Sequence, residues 1–183
     1  MKIVLITGSS RQASNSTYLA KTMLAGLPFT ELELKTFTLQ PIVDHRHDRE
    51  WPRVADDYPR LIKQVLTAQV IIFATPIYWY GMSGLMKTFI DRWSESLKLV
   101  QGFREGMKGK QVYLVLVGGD RPRKKGQLIE QQFRYICEFL QMNFKAVLIG
   151  EANRPLEIKN DQAALQLAAQ LGHQLKRDGD QHA

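Results

Sequence analysis

Residues 70–93 read VIIFATPIYWYGMSGLMKTFIDRW, and this stretch decides the fold. Val70 to Ala74 is a short apolar run rich in β-branched residues, which is typical of a strand covered on both faces in a parallel sheet. Pro76 has no N–H for a sheet ladder and keeps Thr75 extended, so we expect the strand to end at this dipeptide. Apolar residues then recur at helical spacing, at Leu85, Met86, Phe89, Ile90 and Trp93. The stretch therefore predicts a strand, an aromatic loop and a helix.

The loop inside this unit carries three consecutive rings, Tyr78, Trp79 and Tyr80. Ligands of open α/β sheets bind outside the carboxyl ends of the strands, which is where these rings stand. Exposed rings are costly unless a flat partner covers them, so a planar ligand is one interpretation. Packing on a neighbouring loop or on a second subunit explains the rings equally well on physical grounds alone.

The start of the chain repeats the strand, loop and helix order. Ile3 to Ile6 is a buried strand, residues 8–17 read GSSRQASNST, and helical spacing resumes from Tyr18. Hydroxyls, amides and an arginine around a helix N-terminus suit a phosphate, because free N–H groups and a partial positive charge already lie there. Ordinary N-capping by Ser14, Asn15 or Ser16 needs only one of these residues. Neither a G-x-G-x-x-G fingerprint nor a Walker loop is present, which favours a monophosphate ligand.

Both stretches resemble the NAD(P)H-dependent FMN reductase family, flavodoxin-like flavoprotein oxidoreductases that include quinone and azo-dye reductases and iron–sulfur flavoproteins. The resemblance implies that the 8–17 loop wraps the FMN phosphate and that the aromatic loop lines the isoalloxazine ring. It also implies that a loop after the fourth strand borders the pyrimidine edge, although a plain turn would explain its glycines. The cofactor-binding residues predicted in this way are Ser9, Arg11, Asn15, Ser16, Thr17, Pro76, Ile77, Tyr78, Trp79, Tyr80, Gly81, Gly118, Gly119 and Asp120.

The remaining apolar patterns complete a single α/β domain over residues 1–183. Further strands are predicted at Leu32 to Phe37, at an edge, and at Val112 to Val117 and Ala146 to Ile149. The predicted helices begin at Asp56 to Pro59, run from Leu128 or Ile129 to Leu140, and run from Ala164 to Leu175 after a cap at Asn160 or Asp161, with fraying from Arg177. Short links and right-handed crossovers then favour a flavodoxin-like doubly wound sheet of five parallel strands, in the order 2-1-3-4-5, with helices on both faces.

Composition excludes several classes of protein. No run approaches the ~18 apolar residues of a membrane span, and Ile3 to Ile6 is too short for a signal sequence, so we expect a cytoplasmic protein with no membrane partner. The formal charge of +7 invites a nucleic-acid interpretation. No nucleic-acid-binding motif accompanies it, so we expect no nucleic-acid partner; a small anionic ligand or simple solubility accounts for the charge. The single cysteine, Cys137, lies on an apolar helical face, which predicts burial and excludes a disulfide within the chain.

The segment from Thr38 to Asp57 shows no period and is long enough to be a functional loop. It contains Asp44-His45-Arg46-His47-Asp48, whose spacing could serve a metal ion. Neighbouring arginines crowd the same segment with positive charge, so a solvated loop without a metal is the better interpretation. The iron–sulfur branch of the resembled family carries a cysteine cluster here, and its absence argues against that branch.

The resemblance implies an FMN-dependent NAD(P)H oxidoreductase that passes electrons through FMN to a quinone, a flavin or another aromatic acceptor, as a homodimer. Hydride transfer needs no side-chain acid or base, so no catalytic residue is assigned. One alternative is a flavodoxin-type electron carrier that binds FMN without using NAD(P)H, and another is a binding module without turnover. The basic residues Arg121, Arg123, Lys124 and Lys125 would favour NADPH over NADH if they reach a dinucleotide phosphate, and a solvated turn is the competing interpretation.

Overall fold

The computed structural model describes residues 1–180, which form strands and helices in alternation. The strands are β1 Ile3–Thr7, β2 Thr30–Glu33, β3 Val70–Tyr78, β4 Gly81–Met82, β5 Gln111–Gly118 and β6 Asn143–Glu151. The helices are α1 Asn15–Met23, α2 Tyr58–Thr67, α3 Gly84–Asp91, α4 Trp93–Leu99, α5 Phe103–Met107, α6 Pro122–Lys125, α7 Gln127–Phe139 and α8 Gln162–Asp180. Two short 3₁₀ helices cover Leu34–Thr36 and Glu157–Asn160.

Five strands pair in parallel in the order β2-β1-β3-β5-β6. This is the second, first, third, fourth and fifth parallel strand along the chain, so the predicted order is confirmed for the parallel sheet. The sixth strand, β4, pairs antiparallel with the end of β3 and was not predicted. It forms a tight hairpin at the carboxyl end of the central strand.

Helices cover both faces of the sheet and create two separate cores. Alternate residues of β3 point to opposite faces, with Ile71 and Phe73 in one core and Ile72 and Ala74 in the other. Helices α2, α3, α4, α5 and α7 contribute to the first core, and α1 and α8 to the second. Because β3 is buried on both faces, it reads as a continuous apolar run, as parallel strands do.

The prediction that β3 ends at Thr75-Pro76 is wrong, because the strand continues to Tyr78. The Ala74 carbonyl accepts a hydrogen bond from the N–H of Gly8 at 2.8 Å, so the main-chain groups of positions 74 and 76 both face β1. The next bond of a parallel ladder would run from the N–H at position 76 to the Gly8 carbonyl, and proline has no N–H. The Ser83 hydroxyl donates to that carbonyl instead, at 2.6 Å. Pro76 is therefore tolerated where β1 has ended and a side chain replaces the missing donor.

Two other predicted boundaries are corrected. The second strand was expected at Leu32 to Phe37, but it occupies Thr30–Glu33. Its only strand neighbour is β1, which ends opposite Glu33, so the following residues have nothing to pair with and form a 3₁₀ turn. Fraying was expected from Arg177, but α8 continues to Asp180, and Gly179 lies against Met1. Residues 181–183 of the predicted frayed end lie outside the described residues.

The segment 38–57 has neither helix nor strand, as predicted. It is nevertheless tied to the domain, because Trp51 is buried and the Asp56 carboxylate contacts the guanidinium of Arg92 at 2.6 Å. Within the segment, His45 Nδ1 lies 2.6 Å from a carboxylate oxygen of Asp48.

Candidate functional site

The carboxyl ends of β1, β3, β5 and β6 meet at one edge of the sheet, and four loops leave the sheet there. They are residues 8–14 after β1, the hairpin turn 79–80 after β3, residues 119–121 after β5, and residues 152–156 after β6. Three cavities open at this edge, and two of them, described next, border the loops after β1 and β3. This is the edge at which open α/β sheets bind their ligands.

The first cavity has a volume of about 140 Å³ and lies at the N-terminus of α1. The helix is capped by Ser14, whose hydroxyl accepts the Thr17 N–H at 3.2 Å. The Ser14 and Ser16 hydroxyls are 3.3 Å apart, and both side chains are buried. The lining residues are Ser9, Arg11, Ser14, Asn15, Ser16, Pro76, Ile77, Tyr78, Val117, Gly118, Gly119, Ala152 and Asn153. Hydroxyls and first-turn N–H groups together offer a concentration of donors that suits a phosphate.

Arg11 and Asn15 reach from this loop to the main chain beyond β6. Arg11 Nη1 donates to the carbonyl of Asn153 at 2.8 Å, and Asn15 Nδ2 donates to the carbonyl of Arg154 at 2.9 Å. Asn15 Oδ1 accepts the N–H of Ile158 at 3.3 Å. Asn15 thus acts as a tie between two loops, and Arg11 keeps further guanidinium N–H groups for an anion.

The second cavity, of about 380 Å³, lies under the aromatic turn. Its lining residues are Ile77, Trp79, Tyr80, Gly118, Gly119, Asp120, Pro122 and Asn153. A Cβ added at Gly118 would lie 3.1 Å from Ile77 Cβ, and one added at Gly119 would lie 3.0 Å from Asn153 Cβ. The absence of side chains at these two positions allows the neighbouring walls to approach closely.

Trp79 and Tyr80 form the two-residue turn between β3 and β4, with φ angles of 49° and 63°. Positive φ at both central residues matches the right-handed twist of a hairpin, but glycine or asparagine usually occupies such positions. An L-residue in this conformation costs about 1–2 kcal/mol. Trp79 is 95% exposed, so the turn presents a large ring to solvent at the mouth of the cavity.

Tyr80 is fixed by a small polar network. Its hydroxyl donates to Asp120 at 3.1 Å, Lys125 also donates to that carboxylate, and the Lys125 ammonium lies 4.6 Å from the centre of the Tyr80 ring. The hydrogen bonds from Lys125 and then from Tyr80 lower the pKa of Asp120. The same carboxylate raises the pKa of Lys125, which keeps the lysine charged.

The sequence profile described as NADPH-dependent FMN reductase matches residues 1–152, which include both cavity-forming loops of the first half of the chain. The chain belongs to the NADPH-dependent FMN reductase family. A putative NAD(P)H-dependent FMN-containing oxidoreductase, YwqN of Bacillus subtilis, is 43% identical over 174 residues, covering 93% of this chain and 96% of that protein.

Solved structures also resemble this member of the FMN reductase family. The Trp repressor binding protein from Bacillus subtilis superposes with a TM-score of 0.79 at 38% identity, over 92% of this chain and 99% of the other. An FMN-dependent NADH-azoreductase from Bacillus anthracis, solved in complex with FMN, has a TM-score of 0.69 at 10% identity, over 96% of this chain and 99% of the other. At that identity the second likeness concerns the fold alone, and it agrees with the predicted flavodoxin-like class.

The structure of this FMN reductase family member brings most of the predicted cofactor-binding residues together. Twelve of the fourteen predicted residues line one or both cavities; the exceptions, within the described residues, are Thr17 and Gly81. Thr17 lies in the first turn of α1, and Gly81 pairs with Tyr78 in the hairpin. Whether these residues hold FMN is untested, so the assignment stays a prediction.

Five residues that line the cavities are not among the predicted cofactor-binding residues: Ser14, Val117, Pro122, Ala152 and Asn153. Ala152 and Asn153 follow β6 directly, and the rule that ligands bind beyond strand ends could have marked them. The fifth parallel strand was predicted at Ala146 to Ile149, two residues short of its end at Glu151, so these two residues were not placed at a strand end.

The basic segment after β5 is largely paired with carboxylates. Arg123 contacts Asp161 at 2.6 Å and Glu151 at 3.2 Å, and Lys125 is held by Asp120. Arg121 lies 3.6 Å from Asp120 with its side chain mostly exposed, and Lys124 is exposed. Of the four basic residues in this segment, Arg121 and Lys124 are therefore the most available to contact a dinucleotide phosphate.

Cys137 is buried on α7, as predicted, and burial raises the pKa of its thiol to about 12. A thiol that stays protonated is a poor nucleophile, which agrees with a packing role. Among the helices of residues 1–180, none has the length and apolar character needed to cross a bilayer.

Proposed function

We propose that this protein binds FMN at the edge formed by β1, β3, β5 and β6, and passes electrons from NADPH or NADH through the flavin to a quinone, a free flavin or another aromatic acceptor. When bound, FMN supplies the capacity to accept hydride and to pass electrons on. The observation that carries the proposal is one continuous edge with a hydroxyl-lined cavity at a helix N-terminus on one side and an exposed aromatic turn on the other.

The chain's residues divide this work between the two cavities. Ser9, Ser16 and the first N–H groups of α1 would hold the phosphate, with Arg11 at the rim. Trp79 would cover the planar ring and shape the space shared by nicotinamide and acceptor. Backbone N–H groups near Gly118 and Gly119 would face the pyrimidine edge of the ring, where negative charge develops on reduction.

The test is anaerobic reduction of the FMN-loaded protein by NADPH and by NADH, followed at about 450 nm, where oxidised flavins absorb. We expect bleaching by at least one nicotinamide and recovery of the band when a quinone is added. An electron carrier of the flavodoxin type would bind FMN but stay oxidised with either nicotinamide. A colourless protein that takes up no FMN would contradict the proposal altogether.

We also propose that the enzyme is a cytoplasmic homodimer joined through the face between α4 and α7. Leu97, Tyr135 and Phe139 are exposed there, beside an apolar groove of about 270 Å³. The groove is lined by Ile90, Trp93, Ser94, Leu97, Tyr135, Ile136, Phe139 and Leu140. Protruding rings and a groove on one face are what a two-fold interface requires, because each copy offers both to the other. A single buried cysteine accords with the reducing cytoplasm.

A further inference from the structure

The turn after β6, residues Asn153–Ile158, closes one side of both cavities, and we call it the β6 turn. It lies beyond residue 152, where the match to the FMN reductase profile ends. Asn153 lines the hydroxyl-rich cavity and also the cavity under the aromatic turn. The β6 turn is therefore part of the wall around any ligand that spans the two.

The main-chain carbonyls of the β6 turn point toward the loop that follows β1. The Asn153 carbonyl accepts Arg11 Nη1, and the Arg154 carbonyl accepts Asn15 Nδ2. The N–H of Ile158 returns a third bond to Asn15 Oδ1. Both ends of the Asn15 amide and one end of the Arg11 guanidinium are thus oriented by this turn.

Glu157 sets the orientation of the Asn153 carbonyl. One of its carboxylate oxygens accepts the N–H of Asn153 at 2.7 Å and the N–H of Arg154 at 2.8 Å. The N–H of Arg154 and the carbonyl of Asn153 belong to one planar peptide unit, so holding this N–H fixes the direction of the carbonyl that accepts Arg11. The two N–H bonds, with Arg154 first, lower the pKa of Glu157, so the carboxylate stays charged at neutral pH.

We infer that Glu157 is a positioning residue: through the Asn153 carbonyl it holds Arg11 beside the phosphate cavity, so that the site selects a flavin that carries a phosphate over riboflavin. This rests on the proposed function, since it concerns the same FMN site. With a neutral acceptor in place of the Glu157 carboxylate the two hydrogen bonds are weaker, so the peptide plane that carries the Asn153 carbonyl is held less firmly and Arg11 is less well oriented. The isoalloxazine side of the site keeps its other walls, because Asn153 is the one residue of the β6 turn among those that line the second cavity.

The experiment compares dissociation constants of FMN and riboflavin for the full-length wild type and for Glu157→Gln, by quenching of flavin fluorescence. Glutamine keeps the length of the side chain and removes the charge. We expect FMN affinity to fall about tenfold and riboflavin affinity to change by less than about twofold. Glu138→Gln, on the exposed side of α7, is the control for the change in net charge and should leave both constants unchanged.

A purely structural role predicts a different result, namely a lower melting temperature with a parallel loss of both flavins, and that outcome would overturn the inference. An unchanged ratio of FMN to riboflavin affinity in Glu157→Gln would overturn it as well. If Glu157→Gln does not fold, Glu157→Asp is used instead, because it keeps the charge but shortens the side chain by one methylene. The ratio of FMN to riboflavin affinity is then compared with that of the wild type in the same way. If the wild-type protein binds neither flavin, the proposed function itself is contradicted. If the wild type prefers FMN and the Glu157→Gln variant has the same preference, this inference alone is contradicted.

Discussion

Ser16 is the least exposed serine of the hydroxyl-lined cavity, at 1% exposure in the first turn of α1. A carboxylate at this position would stand where the FMN phosphate is proposed to lie, and like charges at close range repel. We predict that Ser16→Glu binds FMN at least about tenfold more weakly than Ser16→Gln, which adds nearly the same volume without the charge. Titration of both variants with FMN and with riboflavin measures this, and riboflavin should not distinguish them. Equal FMN affinity in the two variants would show that the FMN phosphate binds elsewhere.

Trp79 is the residue whose exposure is hardest to explain without a ligand. We predict that Trp79→Ala weakens quenching of bound flavin and changes FMN affinity or turnover, because the indole is the largest ring at the mouth of the second cavity. Leu128→Ala is the control, since Leu128 is also a large exposed apolar residue but lines neither cavity. Steady-state fluorescence and NADPH oxidation kinetics report the difference. If Trp79→Ala has the kinetics and fluorescence of the wild type, Trp79 does not contact the flavin.

At this scale the sequence identified residue types better than residue roles. The excess of hydroxyls before α1 predicted a phosphate site, and the structure gathers three of those serines, Ser9, Ser14 and Ser16, around one cavity. Asn15 was expected to contact the phosphate, yet its side-chain amide forms hydrogen bonds with the main chain of Arg154 and Ile158. Those partners lie about 140 positions away along the chain, and no local pattern in a single sequence indicates such a contact.

Among the elements, α4 and the segment 38–57 are joined by a buried ion cluster. Arg92 contacts Asp56 at 2.6 Å and Glu95 at 2.5 Å, and its guanidinium lies 4.4 Å from the centre of the Tyr58 ring. Burial alone would lower the pKa of Arg92, but the hydrogen bonds to Glu95 and Asp56 raise it. Burial would likewise raise the pKa of Asp56, and the bond from Arg92 lowers it. The irregular segment is thus held by charge where it lacks secondary structure.

We predict that Arg92→Ala destabilises the domain by about 3–5 kcal/mol, because it leaves two carboxylates buried without their partner. Arg134→Ala removes an arginine from an exposed pair with Glu130 and should cost less than about 1 kcal/mol. Urea unfolding at neutral pH compares the two. Costs of the same size in both variants would show that the buried cluster adds nothing beyond a surface pair.

The same cluster gives a pH dependence with a definite sign. The pKa of Asp56 is lower in the folded protein than its ordinary value of 3.8, so its contribution to stability is complete above that value. It is lost as the pH falls below 3.8 through the folded-state pKa. In Arg92→Ala this part of the acid destabilisation should shrink, which repeating the urea series near pH 3 would detect.

Element types followed from the apolar periods, whereas several boundaries depended on neighbours. The helical spacing from Leu128 or Ile129 to Leu140 predicted α7 within two residues at its start and one at its end. The second strand and β3 were misplaced because a strand extends as far as it finds partners. The second strand ends where β1 ends, whereas β3 continues beyond β1 because β5 and β4 pair with it. Ser83 could not be identified as the donor that compensates for Pro76, since it acts on Gly8, 75 positions away.

For the whole molecule, the proposed homodimer can be tested by changing its proposed interface. We predict that Tyr135→Glu combined with Phe139→Glu yields a monomer, because two charges would be buried in an otherwise apolar interface. Leu167→Glu on α8 is the control, since it adds a charge to an exposed leucine on the opposite side of the sheet. Sedimentation equilibrium gives the masses. A dimer that survives the double change would place the interface on another face.

The architecture as a whole was the most predictable level. Alternating strands and helices with short links leave few topologies, and the observed parallel order agrees with the expected one. The β3–β4 hairpin was not foreseen, because its turn is built from Trp79 and Tyr80 rather than from the glycine and asparagine that announce such turns.

Among the described residues, five non-glycine residues have positive φ, and four of them, Trp79, Tyr80, Arg121 and Leu156, lie in loops at the ligand-binding edge. This concentration creates a trade-off for anyone who wishes to make the protein more heat-resistant. Glycine or asparagine at these positions would relax the main chain and is the kind of change that stability screens recover. The same substitutions would remove the indole and phenol rings or loosen the turns around the cavities. Thermostable variants selected without the cofactor should therefore accumulate substitutions at these four residues. Variants selected in the presence of the cofactor should retain the original residues.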